Sequence, residues 1–248
     1  MTESRTAVVT QSNYIPWKGY FDQIRAADEF VLYDDAQYTK RDWRNRNKIK
    51  TSAGLHWLSI PVQVKGKFFQ KIKDTQVVDS SWAQKHWRAI HDAYARAPHY
   101  REYGDRLREL YSLAENLTFL SEINFLFIQE CCEILGISSR FTWSSDYELK
   151  EDRTERLAHI CAQVKADTYL SGPAAKDYME LGYFRERGIA VRYFDYRGYP
   201  EYPQLHGPFE HAVSVLDLIF HVGPEASSFL NPCAVEHDAN QKLVSGDE

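Results

Sequence analysis

The first 35 residues restrict this chain more than any other stretch. Ala7-Val8-Val9 is a short β-branched run suited to a strand, and a polar loop from Gln11 to Pro16 follows it. Trp17, Tyr20, Phe21 and Ile24 then recur at helical spacing. Glu29 to Tyr33 is a second, buried-type strand ending in Asp34-Asp35. Strand, loop, helix and strand in so short a span form a βαβ start, which favours a parallel sheet with helices packed on it.

The rest of the chain continues the alternation around a helical middle. Trp57 to Val62 and Lys71 to Val78 read as strands. Asp79 or Ser80 can cap a helix that runs to about Ala95, and further helices are expected at Tyr103 to Leu113 and Leu120 to Leu135. Arg140 to Trp143, Thr168 to Leu170 and Ile189 to Tyr193 read as strands; Arg153 to Val164, Ala174 to Leu181 and Ala212 to His221 read as helices. Tyr196 to Phe209, rich in Tyr, Pro and Gly, reads as a loop. The fold class expected is α/β, a Rossmann-like, mostly parallel sheet with a helical insertion at about 80–136. One domain would cover 1–235, with a polar tail at 236–248.

Composition narrows the function classes. The 248 residues carry 30 Lys+Arg against 35 Asp+Glu, a formal net charge of −5, which disfavours a general nucleic-acid binder. Aromatics reach 14%, too many for a disordered chain at this low net charge. No stretch approaches the roughly 20 apolar residues of a membrane helix, so membrane insertion is not expected. Cys131, Cys132, Cys161 and Cys233 match no zinc ribbon or disulfide framework, and free thiols in a cytoplasmic protein are expected. The nine histidines are scattered and give no metal-ligand spacing, so no metal centre is expected from them.

Five blocks carry chemistry. The loop with Gln11, Asn13, Tyr14, Trp17 and Lys18 lies where open α/β sheets bind ligands, at the carboxyl end of a strand. Its amides and aromatics suit substrate binding, against the competing reading of an aromatic core anchor. Asp34 and Asp35 could bind Mg²⁺ through water or orient a nucleophile, and strand alternation turns only one of them into a site. The third block, Gln37 to Lys50, sets six cations within 14 positions of an acidic chain. There Arg44 and Arg46 could clamp phosphate oxygens, with Asn47 beside them; a solvated charged face is the alternative. Further on, Ser171 and Gly172 end a strand and could cradle phosphate through backbone N–H groups, with Lys176 one turn away. Tyr202 and Gln204, in the late Tyr-rich loop, suit stacking and hydrogen bonding to a small ligand. Asp217, inside an apolar helix, needs a buried partner such as an Arg.

Gln11 to Asp22, Asp34 to Tyr38 with Trp43 to Ile49, Tyr169 to Gly172 and Ser214 to Leu218 resemble successive motifs of the WbqC-like family, over nearly the whole chain from Val8 to Gly223. That family is similar to proteins encoded among bacterial surface-polysaccharide and specialised-metabolite genes. The resemblance implies modification of a sugar or other small molecule, such as attachment of an amino-acid or acyl group to an amine. Strand, loop with Pro, x-Gly-aromatic, helix and acid-tipped strand also look like the layout of HxGH nucleotidylyltransferases and pantothenate synthetase. In that likeness Trp17-Lys18-Gly19-Tyr20 takes the HxGH position without either histidine, so Lys18, Arg44 and Arg46 would stabilise phosphates.

The expectation is a cytoplasmic enzyme that moves an acyl or aminoacyl group onto an amine, with ATP and Mg²⁺ activating the carboxylate. Asp34, Asp35, Lys18 and Asn47 would be catalytic. Gln11, Asn13, Tyr14, Trp17, Tyr202 and Gln204 would bind substrate, and Arg44, Arg46, Ser171, Gly172 and Lys176 would bind phosphate. The alternatives are transfer from a pre-activated donor, a thioester or an aminoacyl-tRNA (the one nucleic-acid partner compatible with the charge), and a non-catalytic sugar-nucleotide-binding protein.

Overall fold

The computed structural model describes residues 4–230 and 235–236. The expected polar tail from 237 onward, and Cys233, lie outside the described residues. Eight strands and seven α-helices follow in the order β1 (Thr6–Thr10), α1 (Lys18–Arg25), β2 (Glu29–Leu32), β3 (Arg46–Thr51), β4 (Gly54–Ser59), α2 (Ser81–Tyr94), α3 (Tyr100–Ala114), α4 (Leu120–Ile134), β5 (Arg140–Trp143), α5 (Arg153–Gln163), β6 (Thr168–Ser171), α6 (Gly182–Arg185), β7 (Ala190–Phe194), α7 (Val215–Val222) and β8 (Val235–Glu236).

The main sheet has the order β5-β2-β1-β6-β7-β8. The first five strands in that order run parallel, and β8 adds an antiparallel edge. The Rossmann-like α/β expectation holds. Val8 lies opposite Phe30, Leu32 opposite Trp143, and Thr168 opposite Ala190. Alternation then divides the strand side chains between two cores. Val8, Phe30, Leu32, Leu170 and Phe194 join the core built with α1, α2, α3, α4 and α7. Ala7, Val9, Val31, Tyr169 and Val191 pack on the other side with Ala158, Cys161 and Phe184 of α5 and α6. Tyr169 stacks on Phe184 with ring centroids 5.1 Å apart.

Chain order reverses between β1 and β6: from β1 the chain builds outward through β2 to β5, then returns to place β6 on the other side of β1. Such a point in a doubly wound sheet leaves a gap above the strand ends, because the loops leave in opposite directions.

The crossover from β2 to β5 contains more than helices. Arg46 to Thr51, in the stretch read as a basic loop, is β3, and it pairs antiparallel with β4. The strand read as 57–62 is β4 at Gly54–Ser59. The strand expected at 71–78 is only a set of single bridges, Gln37 to Lys71, Val62 to Val77 and Gln76 to Phe119. Helix was expected at 174–181; the chain there makes a 3₁₀ turn at Pro173–Asp177, and the short α6 follows. No helix among the described residues is long and apolar enough to cross a membrane.

Candidate functional site

The loop between β1 and α1 is tied down on every side. Its backbone at Ser12 donates to Asp34 Oδ1 at 2.8 Å, and the Ser121 hydroxyl on α4 donates to Asp34 Oδ2. Asn124, also on α4, donates to Ser12 Oγ at 3.0 Å and to the Arg44 carbonyl at 2.9 Å. Burial pushes the Asp34 carboxyl up, and the hydrogen bonds from Ser121 and Ser12 and the charge of Arg44 pull against it. Asn47 on β3 donates to the carbonyls of Tyr14 and Ile15 at 3.2 and 2.8 Å. Those two bonds hold Ile15 at φ +37, a region that L side chains rarely adopt. Tyr14 itself is fully buried. Its hydroxyl meets His86 Nδ1 at 2.9 Å and Tyr111 Oη at 2.7 Å. Burial lowers His86 to about 4, so the ring stays neutral as Tyr14's partner.

Asp35 faces away from Asp34. Lys71 and Lys73 each lie 2.8 Å from Oδ1, and the Ser144 hydroxyl donates to Oδ2 at 2.9 Å. Burial raises this carboxyl, but those three donors outweigh it and hold it below its usual range. Asp35 therefore fastens the end of β2 to β5 and to the following loop. A metal ion at either aspartate would have to displace these donors. Among the described residues no group of three or more His, Cys, Asp or Glu is placed to hold a metal ion.

Lys18 opens α1 and is buried. Its ammonium donates to the Pro200 carbonyl at 3.1 Å and sits 4.8, 5.4 and 5.7 Å from the ring centroids of Tyr199, Tyr202 and Phe209. Burial lowers it to about 8, with Asp22 and Asp217 pulling the other way. Asp217 takes no Arg. It accepts from Tyr94 Oη at 2.9 Å, Tyr202 Oη at 2.9 Å and Gln204 Nε2 at 2.8 Å, with His221 Nδ1 3.4 Å away. Gln204 also accepts from Lys50 Nζ at 2.6 Å. Tyr202 and Gln204, expected at a substrate, thus hold the loop after β7 against α7 and β3.

The open space lies elsewhere. A crevice of about 230 Å³ sits over the carboxyl ends of β1 and β6, at the chain reversal. Thr10, Gln11, Ser171 and Gly172 form its floor, and Arg153 and Thr154 at the start of α5 form one wall. Arg153 lies 5.9 Å from the Tyr178 ring centroid, and Tyr178 and Gln23, whose Nε2 donates to Tyr196 Oη, also line the crevice. The described lining carries one cation, Arg153, together with hydroxyls, amides and apolar side chains such as Val9, Leu157 and Met179; it has no carboxylate, imidazole or thiol. Lys176 turns to the Tyr193 ring, 5.3 Å away.

A second cavity, about 290 Å³, is bordered by Asn13, Pro16, Trp17, Trp43, Asn47 and Ala212. Beside it Trp43 and Trp57 lie 5.5 Å apart and are 41% and 38% exposed. The Arg46 guanidinium is 4.1 Å from the Trp57 ring centroid, and Lys48 Nζ is 5.1 Å from it. Arg44 bonds Asn13 Oδ1 and lies 3.7 Å from Asp42.

The expected residues therefore separate. Gln11, Ser171 and Gly172 meet in the crevice. Asn13, Trp17 and Asn47 meet at the second cavity, with Arg44 bonded to Asn13 and Arg46 on the hairpin beside it. Asp34, Asp35, Tyr14, Tyr202 and Gln204 are engaged inside the protein. Arg153, Thr154, Gln23 and Tyr178 went unnoticed in the sequence. For Arg153 and Thr154 a signal existed: they start a helix that runs back from β5 to β6, and parallel strands put such a helix start at the same sheet edge as the first loop.

The family model described as the WbqC-like protein family matches residues 11–229. An uncharacterized protein of Mycobacterium tuberculosis is 52% identical over 229 residues, which is 92% of this chain and 99% of that protein. No solved structure matches.

Proposed function

The chain belongs to the WbqC-like protein family, and from that premise we propose that it is an enzyme transferring an acyl or aminoacyl group to an amine of a small molecule, with ATP activating the carboxylate. The observation carrying this reading is the crevice at the chain reversal, lined by one arginine, neutral hydrogen-bonding groups and apolar side chains. Such a lining suits attack by a neutral amine on an activated carboxyl group. The C–N bond forms, the acyl–oxygen bond breaks, the phosphate-bearing group leaves, and the amine's proton passes to water. No side-chain nucleophile or base is needed; positioning and stabilisation of the leaving anion suffice.

In this reading Arg153 and the backbone N–H groups of Ser171 and Gly172 take phosphate oxygens. Gln11, Gln23 and Thr154 orient the acceptor. Magnesium would be held chiefly by the nucleotide's phosphates, as Mg²⁺ commonly is. The crevice is a little below the roughly 300–1,000 Å³ of complete ligand pockets, so part of the ligand would extend outward. A cytoplasmic site of action is part of the proposal, supported by the free, buried thiols of Cys131, Cys132 and Cys161.

Calorimetric titration of the full chain with ATP and Mg²⁺ tests this. Binding is expected, and Arg153→Ala should weaken it roughly 10- to 100-fold, the worth of a charge-assisted hydrogen bond. Absence of ATP binding by the intact protein sinks the ATP step. Binding indifferent to Arg153→Ala removes it from the crevice.

A pre-activated donor is the second reading, favoured by the Trp43–Trp57 pair with Arg46 and Lys48. Exposed rings beside cations can stack a base and take its phosphate. Affinity for aminoacyl-tRNA that falls steeply with salt and is lost in Trp57→Ala would select it over ATP.

A further inference from the structure

Phe68 and Phe69 are the most exposed large apolar side chains among the described residues, 73% and 82% accessible. Their rings meet edge to face, 4.9 Å between centroids. They stand at the tip of a connection that has no part in either cavity. From Lys65 to Lys73 the sequence reads Lys-Gly-Lys-Phe-Phe-Gln-Lys-Ile-Lys: four lysines and no acid, in a chain of net charge −5.

The tip is not exposed through looseness. The Gln37 side chain donates to the Phe68 carbonyl at 2.8 Å, and the Tyr38 N–H donates to the Gln70 carbonyl at 2.9 Å. Gln70 Nε2 reaches the Gln63 carbonyl at 2.8 Å, and Lys71 and Lys73 anchor on Asp35. Gly66, at φ +74, makes the turn before the rings. Ile72 alone in the segment turns inward and is fully buried. The backbone therefore holds two phenyl rings out in water, with Lys65 and Lys67 exposed immediately before them.

We propose that this tip docks the protein on an anionic lipid surface, with Phe68 and Phe69 entering the headgroup–acyl boundary and Lys65 and Lys67 facing the lipid phosphates. Two arguments favour a bilayer over a protein. Together the rings offer only about 300 Å² of apolar area. A stable protein interface needs about 800 Å² per partner, whereas a bilayer accepts a small apolar projection when basic residues surround it. The local charge is also opposite in sign to that of the chain as a whole. A second copy would bring an acidic body, while an anionic leaflet attracts this tip and orients it.

The full chain is mixed with phosphatidylcholine vesicles, with and without about 30% phosphatidylserine, and sedimented. Binding is expected only with phosphatidylserine. Phe68→Ser/Phe69→Ser should weaken it at least about tenfold, and Lys65→Ala and Lys67→Ala about fivefold each at low salt. All these side chains are exposed, so the variants should keep the wild-type melting temperature, which checks the fold. No sedimentation with anionic vesicles overturns the proposal, as does binding untouched by the Phe variant. Two other results overturn it as well. One is a wild-type dimer that the Phe variant converts to monomer without any vesicle binding. The other is a single-stranded oligonucleotide held through the same residues while vesicles are not.

Discussion

The loop after β1 and the crevice beside it begin at the same strand end and use polar groups in opposite ways. In the loop, Ser12, Asn13 and the backbone of Tyr14 are closed on Asp34, Arg44 and Asn47, and Asn124 closes on Ser12. In the crevice, Arg153, Thr154 and Gly172 line open space. The dense polar motif is thus largely a buried scaffold, and the sparse one is free to meet a ligand. A cluster of Gln, Asn and Asp in a sequence marks a place where polar groups must be satisfied; whether protein or ligand satisfies them depends on what packs above.

Four measurements can break or sharpen that contrast. The largest effect is expected at Asp34. Asp34→Ala leaves the Ser12 N–H and the Ser121 hydroxyl unpaired in the interior and should cost about 3 kcal/mol in urea unfolding. Asp34→Asn keeps an acceptor and should cost less than about 1 kcal/mol. An Ala variant as stable as the wild type would remove the aspartate from the scaffold.

Next is a pH effect from His86. Its folded value is about 4 against 6.5 for a free ring. Between those values the unfolded chain binds the proton that the folded chain refuses, so stability is full above about 6.5 and falls as the pH drops toward 4. The loss is of order 3 kcal/mol. His86→Gln should flatten that slope, and an NMR titration placing His86 near 6.5 would refute its burial beside Tyr14.

At Asn47 the expected effect is smaller. Asn47→Ala frees the carbonyls of Tyr14 and Ile15 and releases the positive φ at Ile15, costing about 2 kcal/mol. Arg153→Ala should be the mildest for stability, within about 0.5 kcal/mol by thermal melting, because its side chain is exposed. A loss there as large as at Asn47 would erase the distinction between scaffold and crevice.

Much of the fold could be read along the chain. Ala7 to Val9, Trp17 to Ile24 and Glu29 to Tyr33 become β1, α1 and β2 because each segment carries its own period of apolar residues. Of the hairpin, the stretch at 57–62 reads as a strand but β3 does not, although charged and neutral residues alternate in Arg46-Asn47-Lys48-Ile49-Lys50: five residues with three cations read as a basic loop. The protein buries Asn47 and Ile49 of this strand, and Lys50 as well. The run at Lys71 to Val78 failed the other way, since its bonds go to single bridges with no partner strand alongside.

For the candidate site, local pattern located the strand end and its two loops, Gln11 and Ser171-Gly172, because a parallel strand always delivers its following loop to the same edge. It did not distinguish the open groups from the engaged ones. Ser121 lies 87 positions from Asp34, and Tyr94 lies 123 positions from Asp217. Nothing local to either aspartate announces such a partner. The sequence by itself determined the alternation of strands and helices, the faces the strands present, and the sheet edge that gathers polar loops, since these follow from periodicity and chain direction. Tertiary structure alone decided that Asp34, Tyr14 and Gln204 are closed inside and that Arg153 stands at the opening. A buried polar group takes whichever partner the packing brings within about 3 Å, and that partner is set by how distant segments cross.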